Sequence, residues 1–189
     1  MATKPTSVPS ANRCSKARLT FDRAICDAEQ LLDHCESLGD PLPQNAEVFK
    51  RAGLVMALTA WETYVEDRVQ EGVAERIGSS DSHLARFMLA KLEEELKRFH
   101  NPNAEKTREL FRTYLEVDVT AAWKLQSFAP EEAAKKLDAL MKKRGDAVHR
   151  AKVVSIGRPA THLVKKEELE KAIRFLKELV VATEKALAT

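Results

Sequence analysis

A chain of 189 residues that is 44% hydrophobic and 32% charged, with 6 Gly and 7 Pro, can bury one real core and is not a disordered or collagen-like polymer. Its longest apolar run, residues 52–61, falls short of the ~20 residues that cross a bilayer. The opening MATKPTSVPS carries no apolar leader, so the sequence predicts a cytoplasmic protein with no membrane association.

Residues 1–12, with their Pro, Ser and Thr, read as a flexible extension, and residues 13–189 as one helical domain. Phe21, Ile25, Ala28, Leu32 and Cys35 recur at helical spacing and predict a helix over 13–38, stopped by Gly39 and Pro41. Residues 46–77 predict the most buried helix, with Val55, Leu58, Val65, Val69 and Val73 in one stripe, widened by Leu54 and Trp61. Glu62 falls inside that stripe. A carboxylate there is paired, hydrogen-bonded, turned to a cleft, or at a rim where it reaches water.

Gly78 to Asp81 make a break and a capping signal ahead of a helix over about 81–99, with Leu84, Phe87, Met88 and Leu92 expected inward. His100 to Asn103 form a loop, and 104–115 a shorter helix carrying Leu110, Phe111 and Leu115. Residues 117–125 read as a short helix with Trp123 inward. Pro130 suits the first position of the next helix, whose Glu131 and Glu132 complement its dipole and whose Leu137, Leu140 and Met141 are apolar. Gly157-Arg158-Pro159 marks 153–162 as a loop, and Leu169, Ala172, Ile173, Leu176, Val180 and Leu187 define a last helix over 165–187. No strand pattern, repeat or phosphate loop occurs. The predicted class is all-α: an antiparallel bundle of about four long helices plus short ones.

Three cysteines, Cys14, Cys26 and Cys35, without CxxC spacing argue against a disulfide framework or zinc site, and are expected as buried or half-buried thiols in the first helix. No HExxH or comparable ligand spacing predicts a metal, and no cofactor motif is present. The net charge is only +2, yet residues 135–166 hold ten Lys and Arg against Asp138 and Asp146, a local +8. Such a zone is either a footprint for polyanions or a solvated helix face. Inside it lies KKRGDAVHR, 142–150, where Arg144 and His149 stand five positions apart.

Together with ALTAWETYVEDRV (57–69), LDALMKKRGDAVHR (137–150) and AIRFLKELV (172–180), this motif resembles the HEPN superfamily, and most of all its RiboL-PSP-HEPN branch. The resemblance spans the organisation of residues 13–188. It implies a metal-independent endoribonuclease in a toxin or phage-defence setting, without a cofactor, in which a homodimer brings Arg/His pairs into one cleft. Carried over, Arg144 binds the scissile phosphate, His149 transfers protons, and Glu62 matches the family's helix glutamate, able to hold Arg144. RNA is the implied partner, with an antitoxin or neighbouring defence protein beside it. The alternative is a non-catalytic bundle for dimerisation, nucleotide binding or scaffolding.

The residue chemistry runs the same way. Cleavage through the RNA's own 2′-hydroxyl needs a proton removed and a proton supplied, which histidine does near neutral pH. Guanidinium forks onto the charge of a phosphorane-like transition state. Lys142, Lys143, Arg150 and Lys152 are expected to hold flanking phosphates and to favour a neutral His149. Asp146 is either an imidazole-orienting carboxylate or an exposed helix-end acid. Two positions depart from the family pattern: Gly145 stands where some relatives carry Asn, and Ala151 where a toxin branch carries a modifiable tyrosine.

Overall fold

The computed structural model describes residues 14–39, 42–43, 46–79, 82–149 and 164–188, without the side chains of Val148 and His149. The expectations for residues 1–12 and for the 153–162 loop lie outside the described residues. Within them the chain forms α1 (Lys16–Ser37), α2 (Ala46–Ile77), α3 (His83–Leu96), α4 (Ala104–Leu115), a 3₁₀ turn η1 (Val119–Ala122), α5 (Pro130–His149) and α6 (Lys166–Leu187), with no strand among them.

Capping side chains set most of the starts. Ser15, Ser82 and Asn103 each accept a backbone N–H three residues on, and Asp118 does the same for η1. The start of α1 is also held from outside: Lys16 and Ala17 donate their backbone N–H groups to Glu71 of α2. Its charge lies at the positive end of the α1 dipole. Gly39 and Gly78 take left-handed φ values of 89° and 59° just beyond the ends of α1 and α2.

Contacts fix the directions of the four long helices. Phe21 of α1 meets Tyr64 of α2, while His34 meets Phe49, so these two run antiparallel. Ser15 bonds Glu184 and Glu29 pairs with Lys177, which sets α6 antiparallel to α1. Lys143 pairs with Glu168 while Phe128, just before α5, packs on Phe175, so α5 and α6 are also antiparallel. Thus α1 and α5 point one way, α2 and α6 the other.

One apolar core joins these elements, centred on Trp61, Tyr64, Phe21, Phe111, Trp123 and Leu137, all fully buried. Each large apolar side chain buried this way contributes about 1.5–3 kcal/mol. Trp61 and Trp123 meet edge to face with centroids 6.0 Å apart. Their indole N–H groups donate to Pro102 O at 3.1 Å and Thr183 Oγ1 at 3.0 Å. Helices approach closely where glycine allows: a Cβ on Gly72 would lie 2.8 Å from Leu115 Cδ1, and one on Gly53 would lie 2.9 Å from Leu169 Cδ2.

Two expectations are overturned. Leu92 is buried as expected and Met88 half-buried, but Leu84 and Phe87 are exposed, because α3 turns Ala85 and Leu96 inward with Leu92. Among the cysteines only Cys35 is buried; Cys26 is exposed on α1 and Cys14 precedes the helix, also exposed. Burial pushes the Cys35 thiol pKa up, which suppresses its reactive thiolate.

Candidate active site

Glu62 and Arg144, 82 positions apart, meet where the middle of α2 faces the last turns of α5. Arg144 Nη1 donates to Glu62 Oε2 at 2.7 Å, with both side chains largely buried. Helical spacing places Thr59 three residues before Glu62 on the same face, and Arg144 Nη2 reaches its Oγ1 at 3.4 Å. The carboxylate inside the apolar stripe is therefore a paired one.

The α3–α4 loop closes this pair from a third side. Asn101 Oδ1 accepts from Arg144 Nη1 at 2.6 Å, and the Asn101 backbone N–H donates to Glu62 Oε1 at 3.1 Å. This geometry needs Asn101 in the left-handed region, φ 52°, which Asn tolerates better than most residues. Neighbouring bonds fix the loop: Trp61 to Pro102 O, Lys106 Nζ to His100 O at 2.7 Å, and Ala104 N–H to Asp138 Oδ1 at 2.9 Å. His100 is held beside them, its Nδ1 3.8 Å from Glu62 Oε1 and its side chain 71% exposed.

Arg144 thus spends both Nη1 hydrogens on Glu62 and Asn101. Nη2 turns to Thr59, and a guanidinium carries further N–H donors on Nε and Nη2. One turn along α2, burial first and then the Glu62 and Asp67 charges raise the Glu66 carboxyl pKa from 4.5 to about 7. Among the described residues no group of three or more His, Cys, Asp or Glu is disposed to hold a metal ion, and no helix is long and apolar enough to cross a membrane.

The family model for RiboL-PSP-HEPN matches residues 25–189, a span that includes Glu62, Asn101 and Arg144. The chain belongs to the RiboL-PSP-HEPN family. No curated protein and no solved structure matches it.

The remaining sequence candidates of this RiboL-PSP-HEPN chain are distributed unevenly. His149 is the last residue of α5; its side chain, Arg150 and Lys152 lie outside the described residues. Lys142 is exposed, and Asp146 is half-buried three residues before His149. Lys143 is tied to Glu168 Oε2 at 2.6 Å, bracing α5 against the start of α6. Burial opposes the Glu168 charge, but Lys143, the Lys165 backbone N–H and the Lys165 charge outweigh it and hold that carboxyl below its usual range. A Cβ on Gly145 would meet nothing within 4 Å, so crowding does not require glycine there.

Asn101 and His100 are the site residues that sequence patterns miss. Their one local signal is Asn101-Pro102, a turn-forming pair.

Proposed function

We propose that this HEPN-family chain is a metal-independent endoribonuclease of a toxin or phage-defence system, acting on single-stranded or looped RNA. The supporting observation is the Arg144 guanidinium, held through Nη1 by Glu62 and Asn101. A guanidinium anchored on one edge is pre-organised to fork a phosphate with the other.

In this reading His149 takes the 2′-hydroxyl proton as O2′ attacks phosphorus. Arg144 neutralises the charge that gathers on the non-bridging oxygens. Lys142, Arg150 and Lys152 hold neighbouring phosphates, and Asp146 orients the imidazole. Lys143, engaged with Glu168, braces α5 and contributes less to RNA binding. A homodimer brings two Arg144/His149 pairs to one cytoplasmic cleft, and control falls to an antitoxin or neighbouring defence protein. With Ala151 two residues after His149, that control does not use a tyrosine at this position.

The test is total RNA incubated in EDTA with wild type, His149→Ala and Arg144→Ala. Cleavage by wild type alone supports the reading. Equal absence of cleavage, beside a working control nuclease, refutes it. The second reading, a non-catalytic bundle, draws on the same contacts: both Nη1 hydrogens of Arg144 are committed to holding the fold. It requires Arg144→Ala to lose stability while wild type leaves RNA intact.

A further inference from the structure

We propose that His100 is the second proton-transfer group of this site, the acid that protonates the departing 5′-oxygen. The inference rests on the ribonuclease reading and deepens it. Strand scission through the 2′-hydroxyl has two proton transfers; with each His149 of the dimer cleft assigned to the base role of its own Arg144 pair, the acid role falls to another group. As the base removes the 2′-hydroxyl proton, the O2′–P bond forms and the P–O5′ bond breaks. The electron pair of the broken bond stays on O5′, which takes a proton from the acid. The products are a 2′,3′-cyclic phosphate and a 5′-hydroxyl, with no water consumed.

Three observations single out His100. It stands beside Arg144, since Glu62 contacts both: Oε2 accepts from Arg144 and Oε1 lies 3.8 Å from His100 Nδ1. The 3.8 Å separation is an electrostatic contact longer than a hydrogen bond, and the 71% exposed ring is open to a ligand. The loop carrying it is fixed by Trp61, Lys106, Asp138 and Glu62, although the His100 ring itself is mostly exposed. Of the other histidines whose side chains are described, His34 packs on Phe49, and His83 stands at the first position of α3. Among the described residues, Glu62 of α2 faces the His100 ring, Arg144 of α5 pairs with that Glu62, and Lys106 of α4 bonds the His100 backbone oxygen. Its neighbours thus place a carboxylate and the candidate phosphate-binding cation within one site.

The experiment compares wild type, His100→Ala, His100→Gln and His149→Ala on two RNA oligonucleotides in EDTA. One has the natural linkage; the other has sulfur replacing O5′ at the bond wild type cuts. A thiolate departs without a proton, so loss of the acid is rescued by sulfur and loss of the base is not. Both His100 variants are expected to lower kcat by about 10²–10⁴-fold on the oxygen substrate. They should leave KM within about two-fold and return close to the wild-type rate on the sulfur substrate. Equal loss on both substrates, or a wild-type rate on the natural one, overturns the proposal while the ribonuclease reading stands. Failure of wild type to cut either RNA overturns both. Matching circular dichroism melts establish that the variants are folded.

Discussion

Glu66→Gln should stabilise the protein, but only above mildly acidic pH. Burial raises the Glu66 pKa, with Glu62 one turn earlier and the adjacent Asp67 adding repulsion. The group therefore ionises near pH 4.5 when the chain is unfolded and near 7 when it is folded. Between those values the native state binds the extra proton, so this group's contribution to stability falls as pH rises and levels off above about 7. A shift of that size corresponds to an upper bound of about 3 kcal/mol, and solvent screening of a half-buried carboxyl reduces it to about 1–2 kcal/mol. Urea denaturation of both proteins at pH 5 and pH 8 measures it. The Gln variant should be more stable by about 1–2 kcal/mol at pH 8 and within about 0.5 kcal/mol of wild type at pH 5. A difference independent of pH, or a less stable variant at pH 8, would refute the reasoning.

Replacing Arg144 with Ala should cost about 1–3 kcal/mol, because Glu62 then loses the counter-ion that its partly buried position demands. A double-mutant cycle with Glu62→Ala should show a coupling of at least about 0.5 kcal/mol by chemical denaturation; additive losses would mean that the pair does not act as one. Gly72→Ala should destabilise by about 1–3 kcal/mol, since its methyl group meets the buried Leu115 side chain. Gly145→Ala, with open space around it inside a helix, should raise stability by about 0.4–1 kcal/mol in the same assay.

Helix positions were legible in the sequence where side chains or breakers fix them locally. Residues 46–77 and 104–115 coincide with α2 and α4, and Pro130 does open α5. Ser82 rather than Asp81 caps α3, which then ends at Leu96 instead of near 99. Its facing was misread because an apolar stripe shows which residues share a side, and not which side a neighbour covers. Leu84 and Phe87 were read with the same stripe as Leu92 but stand 65% and 55% exposed. Glu62 was conspicuous because it interrupts an apolar face. His100 was not, since no spacing links it to a glutamate 38 positions earlier. Its placement depends on the left-handed turn at Asn101 and on the Trp61 bond to Pro102, both properties of the assembled fold.

That Trp61 bond gives the protein a built-in optical probe. The chain has 2 tryptophans, both fully buried, and the Trp61 indole N–H holds the loop that carries Asn101 and His100. A ligand that draws the loop toward or away from Arg144 must lengthen or bend this hydrogen bond and so change the electronic surroundings of the indole. In a Trp123→Phe background, emission would come from Trp61 alone. Loop displacement on mixing with RNA would then be visible in the intensity and wavelength of intrinsic fluorescence, without a label and before any bond is cut.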